Sequence, residues 1–172
     1  MLSKNRAIQL LVQKLPKVAN AVVPHVPKPV SKIVIEQTLN RFFKADIVAG
    51  ELDFMRDKVM QVTLTDLAFC FYVKGVVKAN TLSLQVSHHN EQVDVAMAGA
   101  VDDLFLLTTQ SVDPDTLFFR RRLSLRGDTE LGLEIKNFLD TIELASRLPP
   151  SAYQASLDIA HVLLERQPHT SR

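Results

Sequence analysis

The feature that most constrains this chain is a change of hydrophobic period near residue 58. From Val30 to about Val48 the apolar residues Ile35, Leu39, Phe42, Phe43 and Ile47 recur at helical spacing. Pro29 suits the start of that helix and Gly50 its end. Beyond it the period becomes two. Met60, Val62 and Leu64 share one face of a strand over 59–65. Over 67–73, Leu67, Phe69, Phe71 and Val73 take one face, and Ala68, Cys70 and Tyr72 the other. Two apolar faces predict a strand covered on both sides. Clean alternation over 81–88 and 92–97 predicts two half-buried strands. Lys74-Gly75 and Asn90 are the expected turns.

The second half returns to mixed spacing. A helix is expected over 101–110, with Asp102 and Asp103 in a first turn that favours carboxylates. Asp113-Pro114-Asp115 reads as a turn and Arg122–Arg126 as a fifth strand ended by Gly127. Asp128 suits the cap of a helix carrying Leu131, Ile135, Phe138, Leu139 and Ile142. Pro149-Pro150 separates it from a last helix over about 151–166. The expected fold is α+β: a five-stranded, mainly antiparallel sheet with helices around it.

Charge divides the chain unevenly. The 172 residues carry +1, yet the first 35 hold six cations and no acid. Four of the eight prolines lie there too. Near balance overall argues against a nucleic-acid binder. Residues 3–15 read as a basic amphipathic helix, with Lys4, Arg6, Lys14 and Lys17 beside an apolar stripe ended by Pro16. Such a helix lies on an anionic membrane surface, or packs on the main domain with solvated lysines. Gln9, Gln13 and Lys14 interrupt any secretory signal core, so a mature segment of a cytoplasmic protein is expected. The expected divisions are a basic, proline-rich segment at 1–29, a main domain at 30–146, and a C-terminal helix and tail at 147–172.

Catalytic chemistry has no motif to rest on. Five glycines form no phosphate loop, and no nucleophile elbow is present. His88 and His89 point to opposite faces of a strand, a poor chelating geometry. Cys70 has no second cysteine and reads as a small packing residue. Asp113, Asp115 and Asp128 are explained by a turn and a cap. Arg120-Arg121-Arg122 fits an exposed strand edge, or an anionic headgroup. No catalytic residue, metal or cofactor is assigned. The positive signal is apolar: nine phenylalanines and no tryptophan. They make either ordinary core or the wall of a lipid cavity.

The block from Asp113 to Leu133, an apolar strand followed by Gly127-Asp128 and an amphipathic helix, resembles the closing half of a sterol-carrier-protein type 2 (SCP2) domain. It continues through Lys136 to Leu144, and Asp102-Asp103-Leu104 resembles that family's middle helix. The likeness runs from about 36 to 145 and is strongest to accessory factors of bacterial ubiquinone biosynthesis. It implies an SCP2-like fold around an apolar tunnel and a lipid-binding module with no catalysis of its own. It also implies a place in oxygen-independent ubiquinone biosynthesis beside iron–sulfur hydroxylase proteins related to peptidases. The cargo would be a ubiquinone precursor or a phospholipid, and the location the cytoplasmic side of the inner membrane, peripherally attached. Candidates for the tunnel lining are Phe42, Phe43, Phe54, Phe69, Phe71, Leu104, Phe105, Leu107, Phe118, Phe138 and Ile142. The competing readings are a scaffold with a filled tunnel, a general lipid carrier, and an enzyme acting on quinone intermediates through Tyr72, His88 and the aspartates.

Overall fold

The computed structural model describes residues 26–89 and 92–166. The expectations for residues 3–15, including Lys4, Arg6, Lys14 and Lys17, and for the turn at Asn90, lie outside the described residues. Helix α1 (Lys28–Phe42) starts with Pro29 in its first turn, where a missing N–H costs nothing. The expected single helix breaks at Phe43, and a second one, α2 (Lys44–Ala49), follows. Gly50, at φ 79°, closes α2 in the left-handed conformation that a side chain disfavours.

Five strands come next: β1 (Val59–Leu64), β2 (Phe69–Lys78), β3 (Thr81–Ser87), β4 (Val95–Gly99) and, later, β5 (Leu123–Gly127). They form one sheet in the order β3-β2-β1-β4-β5. The β1·β4 pair is parallel and the other three are antiparallel. Between β4 and β5 stand α3 (Val101–Thr108) and α4 (Pro114–Phe119). After β5 come α5 (Thr129–Asp140), α6 (Leu144–Arg147) and α7 (Pro150–Arg166). The α+β expectation is met, with the sheet mixed and mainly antiparallel.

Three local readings need correction. β2 does not turn at Lys74-Gly75 but runs on to Lys78. Gly75 is there because a Cβ would collide with the Met55 carbonyl, which crosses close to the strand. The hairpin turns instead at Ala79 and Asn80, with φ of 47° and 63°. A two-residue turn with both φ positive matches the twist of the strands it joins. Asp113-Pro114-Asp115 is not a free turn. The Asp113 carboxylate accepts the Thr116 N–H at 2.9 Å and caps α4, with Pro114 in its first turn. Asp128 caps α5 as expected, accepting from the N–H groups of Glu130 and Leu131.

The third correction concerns burial. The strand over 67–73 is not apolar-covered on both sides. Register aligns Val62 with Phe71 and Met60 with Val73 on the face under the helices. The other face aligns Gln61 with Tyr72 and Thr63 with Cys70. There Gln61 and Thr63 hydrogen-bond toward the Cys70 sulfur, and Cys70 and Tyr72 are only half-buried. Ala68 sits outside the strand, exposed, at φ 47°.

The helical face holds the core. Around α3, α4 and β5 it is solid: Leu106 and Leu117 are 0% exposed and Leu123 is 1% exposed. α7 adds Ala160, Val162 and Leu163 against Leu106. Asp103 of α3 is buried in this half and accepts a charged hydrogen bond from Arg122. Burial pushes its carboxyl above the usual range, and the guanidinium beside it pulls the other way.

Candidate functional site

Between the sheet, α1, the Phe43 junction and α5 the packing is incomplete. An apolar cavity of about 170 Å³ lies there. Its floor is strand: Met60, Val62, Phe71, Val73, Leu84 and Met97. Its walls are Leu39 of α1, Phe43 at the helix break, and Ile135, Phe138 and Leu139 of α5. Leu52, Phe54 and Met55 close one end. Phe138 is the hinge of an aromatic cluster, with ring centres 5.5 Å from Phe43 and 5.9 Å from Phe54. Among the described residues no polar side chain lines the cavity. Nothing there can carry a proton or polarise a carbonyl, so the space can sort molecules only by shape and apolar area.

One arginine fixes the wall at its weakest point. Arg147 of α6 grips Asp46 of α2 with two bonds, at 2.6 and 2.8 Å. It also donates to the Phe42 carbonyl at 3.0 Å, a group released by the helix break. Its guanidinium lies 4.9 Å from the centre of the Phe42 ring and 5.7 Å from that of Phe43. Both charged side chains are largely buried. The α1–α2 junction, and with it Phe43, is thus pinned from the far end of the chain.

Of the eleven lining candidates, four surround the cavity: Phe43, Phe54, Phe71 and Phe138. Phe42 lies next to Phe43, edge to face at 5.0 Å, under Arg147. Phe69 packs between Phe71 and His88. Leu104 and Leu107 belong to the core beside the cavity, and Ile142 is fully buried next to α5. Phe105 faces α7. Phe118 lines a separate groove beside β5. Spacing in sequence brings out the phenylalanines and overlooks the aliphatic floor. Strand parity carries that signal, because Met60 and Val62 share the face of Phe71 once β1 and β2 pair.

The polar candidates do not converge. His88 bonds Ser31 at 2.9 Å and stacks edge-on against Phe69. Tyr72 and Cys70 are on the opposite sheet face. Asp113 and Asp128 cap helices, and Asp115 pairs with Lys136. The three arginines divide: Arg122 turns inward to Asp103, while Arg120 and Arg121 are exposed.

A profile of the SCP-2 sterol transfer family matches residues 35–140, the stretch that supplies the sheet, the cavity and α5. The chain belongs to that family. Among family relatives, the ubiquinone biosynthesis accessory factor UbiT of Escherichia coli (strain K12) is 33% identical over 160 residues. The alignment spans 93% of this chain and 87% of UbiT. UbiT of Escherichia coli O157:H7 matches over the same spans. A solved structure described as "UbiJ-SCP2 Ubiquinone synthesis protein" superimposes with a TM-score of 0.53 at 18% identity. It covers 71% of this chain and 96% of its own. The likeness shows the SCP2 fold for this chain. Among the described residues no helix is long and apolar enough to cross a membrane.

Proposed function

We propose that this SCP2-family chain is a non-catalytic lipid-binding accessory factor of ubiquinone biosynthesis, as its relative UbiT is named. It holds or presents a hydrophobic quinone precursor, or a membrane phospholipid, to the hydroxylases of an oxygen-independent route. The observation that carries this reading is a cavity whose described walls are apolar side chains throughout. Each CH₂ that leaves water gains about 0.8 kcal/mol. A buried apolar space of about 150 Å³ is known to stay dry and take up a benzene-sized ring. At about 170 Å³ the cavity is matched to one ring or one isoprenoid unit, and short of a whole lipid tail. Loading a tail requires the wall at Phe43 and Phe54 to move outward.

Membrane delivery completes the proposal. On α1, Val30, Ile33 and Val34 form an exposed aliphatic stripe, 49–57% accessible, beside exposed Lys28 and Lys32. Helices with that composition rest on anionic lipid surfaces. Lys4, Arg6, Lys14 and Lys17 extend the same charge in sequence. The proposed location is the cytoplasmic face of the inner membrane.

Native mass spectrometry of the purified full chain, with extraction and lipid analysis, tests the reading. Near-stoichiometric quinone precursor or phospholipid is the expected result. A protein that arrives empty and refuses added polyprenyl lipid and phospholipid overturns it. The scaffold reading then takes its place.

A further inference from the structure

The two edges of the sheet are treated differently. β3 ends the sheet on one side, and α1 seals it. Asn40 imitates a neighbouring strand there, accepting from the Leu84 N–H at 3.0 Å and donating to the Leu84 carbonyl at 2.7 Å. Glu36 accepts the Val86 N–H at 2.9 Å. β5 ends the sheet on the other side. The Asp128 N–H donates to the Asp94 carbonyl, and the register places these two residues opposite each other. The bonded pairs are then Ala96 with Arg126 and Ala98 with Ser124. Leu123, Leu125 and Gly127 fall between them, with their backbone groups directed away from β4; Leu123 is sealed at 1% exposure, so the edge is open at Leu125 and Gly127. Among the described residues no hydrogen bond reaches those groups from outside the sheet.

A groove of about 320 Å³ runs along this edge on its helical side. Phe118, Leu125 and Leu133 wall it, and Gly132 leaves its mouth open because a Cβ there would touch nothing. Leu133 is 56% exposed and Phe119, on neighbouring α4, is 86% exposed. Of the charged residues that line the groove, Asp128 and Lys136 have partners in Lys58 and Asp115, and Arg126 has no ion pair among the described residues. Arg122 and Lys136 are paired, but Arg120, Arg121 and Arg126 are exposed and carry no ion pair among the described residues.

We propose that the open edge of β5 receives an extended acidic segment of a partner protein as a sixth strand. An added strand satisfies the outward groups of Leu125 and Gly127. Its side chains alternate, so every second one drops into the groove against Phe118 and Leu133. Its acids meet Arg120, Arg121 and Arg126. A second copy of this chain is a poor occupant. β5 itself reads Leu-Ser-Leu-Arg-Gly, and two such edges paired about Leu125 would supply no acid to either Arg126, each facing Ser124 with the other arginine on the diagonal.

The test uses the full chain, isotope-labelled, and a seven-residue peptide of alternating valine and glutamate. Binding is read by anisotropy, and amide exchange by NMR. The expected result is binding that weakens with salt and slows exchange at Leu125 and Gly127. Peptide N-methylated at alternate residues should lose binding in one phase and keep it in the other. Arg126→Glu should weaken binding about tenfold and reverse the preference toward a lysine–valine peptide. No binding at millimolar peptide, equal binding in both methylation phases, or unchanged exchange at Leu125 overturns the proposal. So does protection of these amides that rises with protein concentration without peptide, which would mark a second copy as the occupant.

Discussion

The two halves of the apolar interior are built to opposite rules. Around Leu106, Leu117 and Leu123 the side chains leave no accessible surface, and a buried Asp103–Arg122 pair is locked among them. Beneath α1 and α5 the same kinds of side chain stand back from one another and enclose about 170 Å³. Composition separates the halves little: leucine, valine and phenylalanine occur in both, though Met55, Met60 and Met97 all line the hollow one. Geometry separates them. The solid half is where α3, α4 and α7 converge, and the hollow half is where α1 breaks at Phe43. Stability and capacity are thus assigned to different ends of one sheet face.

Substitutions test that division, and the largest effect is expected at the buried pair. Arg122→Ala leaves Asp103 uncompensated, and chemical denaturation should show a loss of about 3–5 kcal/mol. A loss below 1 kcal/mol would mean that the pair is solvated and the half is not sealed. Leu117→Ala, at a residue with no exposed surface, should cost about 2–5 kcal/mol in the same assay. Enlarging it to Leu117→Phe should also cost about 1–3 kcal/mol, because nothing can yield.

The hollow half should respond with the opposite sign. Val62→Met fills part of the cavity floor and should be neutral, or stabilise by about 0.5–2 kcal/mol. The same variant should carry less co-purifying lipid by mass spectrometry. A stable variant with undiminished lipid would place the cargo elsewhere. The smallest effect is a matter of pH. The Asp103 carboxyl titrates above its usual range when folded, so its share of stability is present in acid and lost as pH rises through that raised value. Asp103→Asn lacks this titration. The melting temperature of the native protein relative to Asp103→Asn should therefore rise as pH falls from 7 toward 4. A relative fall would show that Arg122 outweighs burial.

Much of this was legible in the residues. Alternation at 59–65 and 81–88 located strands because one face of each is buried and the other is not. The Asp128 cap and the spacing of Leu131, Ile135 and Phe138 located α5 for the same kind of reason. Gly75 misled because a glycine that admits a crossing carbonyl looks the same as one that turns. Ala79 hid the real turn because alanine seldom takes a positive φ. Four phenylalanines at the cavity were visible as aromatic residues. Their seven companions were not separable from them, because whether a wall closes on a void depends on where α1 breaks. Arg147 was invisible as a pin, since its partners Phe42 and Asp46 lie about a hundred residues away in sequence.

The seal that α1 places on β3 limits how a cargo can enter. Asn40 and Glu36 belong to the same helix as Leu39 of the cavity wall. Lifting α1 to admit a tail would strip three hydrogen bonds from a strand edge and expose it, at a crowded surface, to every other unpaired strand. A carrier that opened this way would court aggregation on each delivery. The α2 segment makes no such bonds to the strand edge: it is six residues long, ends on Gly50, packs Ile47 on the core and is tied to α6 through Arg147. On the proposed carrier reading, an opening on this side would leave the sheet edge shut.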